Sequence, residues 1–170
     1  FFRQDYLDAL GLAMPATTDE LAETLRALKD YDGGKGVKTI PLTLGGKDMM
    51  FTTVLGAFGI PNEWNEVDGK LVNRVTQPAM KDYLAYLKAL YQEGLLDAEY
   101  PANQSSNVNE KLVTGQAAAA YQSCWAFEIF GDSLKELQPE AVISYMPPIS
   151  GPNGDIGLGA VAGGMDRIAF

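Results

Sequence analysis

The chain has 170 residues, of which 46% are hydrophobic, and 22 acidic against 13 basic residues give it a formal net charge of −9. This composition is typical of one globular domain with a sizeable core, and no apolar run approaches the length needed to cross a bilayer. No cluster of Lys and Arg is present that could follow a phosphate backbone, so nucleic acid is not an expected partner.

Local patterns predict helices and strands along the first 60 residues. Thr17 and Glu20 have the spacing of a helix-capping box, and Gly11 is placed to end the preceding helix. The alternation of Ile40, Leu42 and Leu44 indicates a strand. The expected elements are a strand end at 1–3, helices at 5–10 and 18–30, a strand at 38–44 and a helix at 49–58.

The rest of the chain begins with a predicted hairpin at 64–75, because Asp68-Gly69 is a strong turn pair between two β-prone runs. Pro78 suits the first turn of the longest helix, 78–93. The buried face expected for this helix consists of Met80, Leu84, Leu87 and Tyr91. The remaining elements are helices at 107–114 and 125–137 and strands at 117–121, 142–146 and 167–170. Strands that alternate with helices predict a single α/β domain with a largely parallel sheet.

The stretch GQAAAAYQSCWAFEIF, from Gly115 to Phe130, is open to two interpretations. Four consecutive alanines suit a helix, but the polar turn at Gln122 would interrupt it. A buried strand of small residues that ends in a turn and presents Trp125 fits the same order. The local sequence alone does not choose between them.

Some features are better explained by structure than by function. Gly157–Ala162 matches the dinucleotide-binding pattern G-x-G-x-x-A, but a Pro/Gly loop precedes it and two glycines follow it, so we interpret it as chance. Asp30–Gly34 resembles the start of a calcium loop that lacks the required Gly and Glu, which favours a plain turn. We expect Trp64 to pack the hairpin onto the sheet.

The residue inventory also limits the chemistry. Histidine is absent and Cys124 is the single cysteine, so the commonest general base and neutral metal ligand are missing and no disulfide can form within the chain. No metal, cofactor or catalytic residue is predicted.

Several motifs resemble one protein family over nearly the whole chain. The segment FFRQDYLDALGLAMPATTDELAETLRAL is similar to the pattern Y-x-R/N-x-D-x-L-x-x-x-G-x-x-x-P-x-T-x-x-E-L of family 1 extracellular solute-binding proteins. The similarity continues through GAFGIPNEWNEVDGKLV and YLKALYQEGLLDAEY to the alanine stretch. These proteins are the capture subunits of ABC importers. The motifs LYQEGLLD and GAFGI are most similar to the lipoprotein members of Gram-positive bacteria.

The resemblance implies a fold of the type II periplasmic-binding-protein kind, with a mostly parallel mixed sheet flanked by helices. In this family the small residues after Gly115 form a strand that turns and presents a tryptophan, here Trp125, into the ligand cleft. We therefore expect Trp125, Tyr121 and Gln122 to line one wall of a sugar-binding cleft, since an aromatic face covers the C–H face of a pyranose. The alternative is that Trp125 packs against its own helix. The family's Asn-Gly-Pro is replaced by Gln122-Ser123-Cys124.

Two loops supply the other candidate ligand contacts. Lys47, Asp48 and Met49 follow the strand at 38–44, and ligands gather beyond the carboxyl ends of strands in open α/β sheets. They offer a donor, an acceptor and an adaptable apolar surface. Gly163 and Gly164 correspond to the floor of the family's cleft, where a side chain would crowd the ligand. The alternatives are a helix cap at Asp48, a solvated Lys47 and a plain glycine turn.

The expected protein is non-enzymatic. The resemblance implies that residues 1–170 form the second lobe of a two-lobe protein whose first lobe is missing. It implies a carbohydrate ligand, ABC permease subunits as partners, and an extracellular location as a lipid-anchored protein of a Gram-positive bacterium, or a periplasmic one. Two alternatives are the same fold with a peptide or other polar solute, and a glycoside hydrolase that uses paired carboxylates.

Overall fold

The structure is a computed structural model that describes residues 1–34, 36, 38–46, 51–123 and 125–159. Its elements, in chain order, are β1 (Phe2–Arg3), α1 (Gln4–Leu10), α2 (Thr18–Asp30), α3 (Thr52–Leu55), β2 (Trp64–Val67), β3 (Lys70–Asn73), α4 (Pro78–Gln92), α5 (Ser105–Val113), α6 (Ala126–Leu137) and β4 (Ile143–Ser144). Short 3-10 turns follow α3 and β3. Of the described helices, none has the length and apolar character to span a membrane. The strand predicted at 167–170 lies outside the described residues.

The alanine run forms the centre of a sheet, so the strand interpretation is the correct one. On one side, residues 117–120 lie antiparallel to β1, which pairs antiparallel with β4. On the other side they lie parallel to residues 40–43, which in turn pair in parallel with Leu96. The order across the sheet is thus β4, β1, 117–120, 40–43 and Leu96. The sheet is mixed, as the sequence predicts: two of these four pairings are parallel and two are antiparallel, and every strand except β1 runs in the same direction.

The small side chains explain why this run is central. All four alanines are 0–2% exposed, so each face of the run is covered by another layer of the protein. Residues 40–43 and 117–120 are joined by separate bridges and do not form the continuous strands that the sequence predicts. Pro41 accounts for part of this difference, because it has no N–H to donate within the pairing.

Helix α2 begins as its sequence predicts. The Thr17 side chain accepts a hydrogen bond from the N–H of Glu20 at 3.0 Å. The Glu20 carboxylate accepts from the N–H of Ala16 at 2.8 Å, one residue earlier than in the standard reciprocal box. The apolar face of the helix is completely buried through Leu21, Leu25 and Leu28.

Helix α4 forms where it is predicted, but two residues of its predicted buried face are wrong. Leu84 and Tyr91 are 42% and 44% exposed. The residues that the helix buries are Met80, Tyr83, Leu87 and Leu90. Their spacing makes a stripe that is rotated around the helix, so Leu84 and Tyr91 lie at its edge. This rotation turns Tyr83 into the core, toward the start of α3.

The hairpin of β2 and β3 forms with the predicted turn. Asp68 and Gly69 both have positive φ angles, 51° and 72°, as a two-residue hairpin turn of the mirror-image type requires. Trp64 is 54% exposed, so the expectation that it packs the hairpin onto the sheet is wrong. The hairpin pairs mainly with itself and leaves this ring largely in solvent.

Candidate functional site

A cavity of about 430 Å³ lies where segments 40–43 and 117–120 reach their carboxyl ends. This volume lies within the roughly 300–1,000 Å³ of typical small-molecule sites. The cavity is lined by Phe1, Phe2, Leu21, Leu42, Phe51, Thr52, Thr53, Ala120, Tyr121, Gln122, Ser123, Tyr145, Met146, Pro148 and Leu158. Tyr121 and Gln122, two of the predicted site residues, are therefore brought together on its wall.

Tyr121 directly follows the alanine run, and its backbone and side chain are both fixed. Its N–H donates to the carbonyl of Thr43 at 3.0 Å. Its hydroxyl lies 3.0 Å from the Thr52 hydroxyl and accepts from the Thr52 N–H at 3.3 Å. Its ring centroid lies 4.4 Å from that of Phe51, at an interplanar angle of 60°. Tyr121 thus contributes a rigid aromatic surface to the cavity.

A second tyrosine, Tyr83, also binds the start of helix α3. The buried Tyr83 hydroxyl accepts from the N–H of Phe51 at 3.1 Å. Burial raises the pKa of Tyr83 far above its ordinary value, so the side chain stays neutral. The first N–H groups of a helix have no partner within it, and α3 has no side-chain cap of its own. Tyr83 and Tyr121 satisfy these groups and fix Phe51 and Thr52 on the cavity wall.

Gln122 is held by helix α5. Its side-chain NH₂ donates to the carbonyl of Ser105 and to the Asn109 side-chain oxygen, each at 3.1 Å. Its side-chain oxygen accepts from the N–H of Ser123 at 3.3 Å. The two amide hydrogens are thus engaged, while the oxygen has a second lone pair for a ligand hydroxyl.

Trp125 lies outside the cavity wall, two residues beyond Ser123. It is 47% exposed and immediately precedes α6. The first turn of that helix packs through other residues, with the rings of Phe127 and Phe130 5.5 Å apart. Within the described part of the chain the Trp125 indole has neither an aromatic partner nor a hydrogen bond.

Tyr145 is a wall residue that the sequence does not single out. It follows β4 at its carboxyl end, is 58% exposed, and its ring lies 4.8 Å from that of Phe1. Its hydroxyl has no hydrogen-bond partner among the described residues. The predicted strand at 142–146 places an aromatic residue at this edge, and that position is the signal that identifies it.

A buried polar cluster supports the neighbouring strand end. The Lys111 ammonium lies 2.7 Å from the Asp97 carboxylate, 2.8 Å from the Glu99 carboxylate and 3.1 Å from the Asn103 side-chain oxygen. The hydroxyl of Thr43, at the end of segment 40–43, donates to Asp97 at 2.7 Å.

Burial and hydrogen bonding act in opposite directions in this cluster. Burial alone would raise the pKa of Asp97, but donors led by Lys111 hold it below its ordinary value. Burial alone would lower the pKa of Lys111, and the carboxylates of Asp97 and Glu99 raise it above its ordinary value. Both groups are therefore charged at neutral pH.

The polar cluster around Lys111 also contacts Gly46, the residue that precedes the predicted loop contacts. The carbonyl of Asn103 accepts from the N–H of Gly46 at 3.1 Å. A side chain at Gly46 would collide with the carbonyl of Pro101, so glycine is required for this approach.

The other predicted contacts lie outside the described residues: Lys47, Asp48, Met49, Gly163 and Gly164.

Comparison with known proteins identifies the family. Residues 1–165 match the model of the bacterial extracellular solute-binding protein family. The chain belongs to this family. The predicted resemblance is confirmed.

Its relatives are considerably longer proteins. The chain is 31% identical to Lipoprotein LipO of Bacillus subtilis over 89% of the chain and 32% of LipO. It is 29% identical to the polygalacturonan/rhamnogalacturonan-binding protein YtcQ of B. subtilis over 68% of the chain and 24% of YtcQ. The chain thus spans about a third or less of these curated relatives.

A solved structure gives the fold. The structure of the substrate-binding protein FusA of Streptococcus pneumoniae in complex with kestose superposes with a TM-score of 0.72, at 22% identity. The match covers 95% of the chain and 33% of FusA. The predicted fold class, that of type II periplasmic binding proteins, is confirmed.

Proposed function

We propose that this chain is one lobe of an extracellular solute-binding protein that captures a carbohydrate for an ABC importer. The observation that carries the proposal is the cavity at the carboxyl edge of the sheet, with Tyr121, Gln122 and Tyr145 on its wall. Family membership supports the importer role. FusA, of similar fold, has been solved with kestose, and YtcQ is named as a polygalacturonan/rhamnogalacturonan-binding protein.

The wall suits the two kinds of surface that a sugar ring presents. The Tyr145 and Tyr121 rings offer apolar faces for C–H groups, while the Gln122 oxygen and the Tyr145 hydroxyl can bond hydroxyl groups. The exposed Trp125 supplies a third ring beyond the wall, and a ligand longer than the cavity would reach it.

The remainder of the site would lie outside this chain. Small-molecule sites bury roughly 70–90% of the ligand surface, which one open wall does not achieve. We propose a second lobe as the opposing wall, membrane anchoring by a lipid, and permease subunits as partners. The length of LipO and FusA relative to this chain supports the presence of a second lobe.

The predicted loop contacts belong to the same proposal. Lys47, Asp48 and Met49 follow Gly46, which is held at the sheet edge by Asn103. Gly163 and Gly164 follow Leu158, which lines the cavity. Alanine variants of Lys47 and Asp48 in the full-length protein test whether that loop contributes to affinity.

Titration calorimetry on the full-length protein with kestose, stachyose and laminaribiose tests the proposal. We expect at least one of these probes to bind, and Trp125→Ala to weaken its binding by roughly tenfold or more, because stacked aromatic area is lost. Trp64→Ala is the matched control, since Trp64 is similarly exposed but lies on the hairpin, and it should retain affinity.

Two results would contradict this proposal. Unchanged affinity in Trp125→Ala, together with a large fall in melting temperature, would assign this ring to the packing of α6. Binding of peptides but of no carbohydrate would contradict the proposed ligand class.

A further inference from the structure

Helix α3 begins on the cavity wall without a side-chain cap of its own. Phe51 occupies its N-cap position, and a phenyl ring offers no acceptor for the N–H groups of the first turn. Phe51, Thr52 and Thr53 all line the cavity. The position of this part of the wall is therefore fixed by side chains that bind it from other segments of the chain.

Two tyrosine hydroxyls bind consecutive N–H groups at this helix start. The Tyr83 hydroxyl accepts from the N–H of Phe51 at 3.1 Å, and the Tyr121 hydroxyl accepts from that of Thr52 at 3.3 Å. Tyr121 lines the cavity, whereas Tyr83 is completely buried on α4 and is not among the lining residues. Tyr83 thus acts on the wall from the layer behind it, where a ligand in the cavity does not touch it.

The far end of the same wall segment is held by backbone contact. Gly56 directly follows α3 and lies against Gly157, so closely that a side chain at Gly56 would collide with the Gly157 carbonyl. The loop that makes this contact carries Leu158, another residue of the cavity wall. Because the far end is fixed in this way, the loss of a hydroxyl at the start of α3 leaves the start as the end that can move.

From these contacts we infer that Tyr83 is a positioning residue of the solute site: its hydroxyl holds Phe51 where ligand binding requires it. The inference rests on the proposed function. A buried N–H that loses its acceptor costs free energy, which favours movement of the backbone toward another partner. The ring of Phe51 lies 4.4 Å from that of Tyr121, so such a movement also changes the packing of the aromatic surface of the wall.

Affinity depends on this position because a preformed wall binds a ligand without first being ordered. In the wild type, the Tyr83 hydroxyl orders the start of α3 before the ligand arrives. Without the hydroxyl, only the fraction of molecules with the wall in place is competent to bind, and the apparent affinity falls by that fraction. The net contribution of one neutral hydrogen bond corresponds to roughly two- to tenfold in such an equilibrium.

Tyr86 provides a matched control on the same helix. The rings of Tyr83 and Tyr86 both pack on Phe58, with centroids 5.8 and 5.7 Å from its own. The Tyr86 hydroxyl donates to the carbonyl of Thr18 at 2.8 Å, and neither residue of this pair lines the cavity. Tyr83→Phe and Tyr86→Phe each remove a hydroxyl that bonds the backbone and keep the ring. A purely structural role of the hydroxyl therefore predicts the same result for both.

Titration calorimetry on the full-length protein measures the effect, with whichever of kestose, stachyose and laminaribiose binds the wild type most tightly. We expect Tyr83→Phe to raise the Kd roughly threefold or more, and Tyr86→Phe to change it by less than about 1.5-fold. The melting temperatures of the two variants should lie within about 3 °C of each other, because each loses one hydrogen bond of the same kind.

Amide hydrogen exchange without ligand locates the change in the fold. Exchange should become faster in peptides that cover residues 51–58 in Tyr83→Phe, and in peptides that cover the start of α2 in Tyr86→Phe. Equally faster exchange in every peptide of Tyr83→Phe would show a global loss of stability and would contradict a local positioning role.

The binding results separate this inference from the proposed function. An unchanged Kd in Tyr83→Phe, or an equal loss of affinity in both variants, would overturn the positioning role of Tyr83 and leave carbohydrate capture in place. A wild-type protein that binds none of the three sugars would overturn the proposed function, and the role of Tyr83 in solute binding with it.

Discussion

Lys111 carries its charge into the protein interior, where its side chain is 11% exposed and that of Asp97 is 3% exposed. Buried ion pairs of this kind contribute modest net stability, yet the loss of one partner leaves the other charged and unpaired. We predict that Lys111→Met destabilises the protein by about 3–5 kcal/mol. The measurement is the free energy of unfolding by urea. The exposed Lys81→Met should change it by less than about 0.5 kcal/mol; equal effects in both variants would contradict the role of the cluster.

The lowered pKa of Asp97 makes the stability of the folded protein depend on pH. This pKa is lowered from 3.8 in the folded protein, so Asp97 contributes stability above about pH 4, and that contribution is lost as the pH falls through the folded value. Urea unfolding between about pH 2 and pH 7 should show a steeper acid loss of stability in the wild type than in Asp97→Asn. Curves that run parallel below pH 4 would show that Asp97 is not held below its ordinary pKa.

Contacts of single residues also show what the sequence cannot predict. Tyr121 and Gln122 lie on the cavity wall, and the ligand contacts that the family resemblance implies for them stay predictions. The contacts that fix them come from Thr52 and Asn109, which are distant in sequence, and no local pattern reveals those pairs. The role of Trp125 stays a prediction.

At the scale of elements, signals carried by a few neighbouring residues were the most accurate. The cap at Thr17, the turn at Asp68-Gly69 and the helix start at Pro78 all appear as predicted. Each depends on local backbone geometry alone. The buried face of α4 depends on how the helix packs, and there Leu84 and Tyr91 were wrong, because Tyr83 turns inward toward Phe51.

The buried alanine run should lose stability when one of its side chains is enlarged. Ala119 is completely buried in the strand between β1 and segment 40–43, and its side chain points out of the sheet into a packed layer, where added methylene groups cause overpacking. Ala119→Leu should destabilise the protein by about 1–3 kcal/mol, measured by urea unfolding. Ala85→Leu, on the exposed side of α4, is the control and should remain within about 0.5 kcal/mol of the wild type. An Ala119→Leu variant as stable as the wild type would mean that the layers around the alanine run are loosely packed.

At the scale of the whole molecule, the proposed second lobe would account for the exposed aromatic rings, and the match to proteins about three times as long supports that proposal. Trp125 and Tyr145 are 47% and 58% exposed; Tyr145 lines the cavity, and Trp125 lies two residues beyond Ser123, which also lines it. Trp64 is similarly exposed, at 54%, but on the hairpin. A ligand enclosed between this edge and an opposing lobe would cover the first two rings and leave the hairpin in solvent.

Acrylamide quenching of tryptophan fluorescence distinguishes the two tryptophans. In the full-length protein, Trp64→Phe retains the signal of Trp125 and Trp125→Phe retains that of Trp64, over the same background from any further tryptophans. Addition of a bound neutral oligosaccharide should lower the quenching constant in Trp64→Phe by roughly twofold, because stacking removes one face of the indole from solvent. In Trp125→Phe the signal from Trp64 should not respond. Protection of Trp64 instead would show that the ligand binds at the hairpin, and the opposing lobe would then have to close over the hairpin.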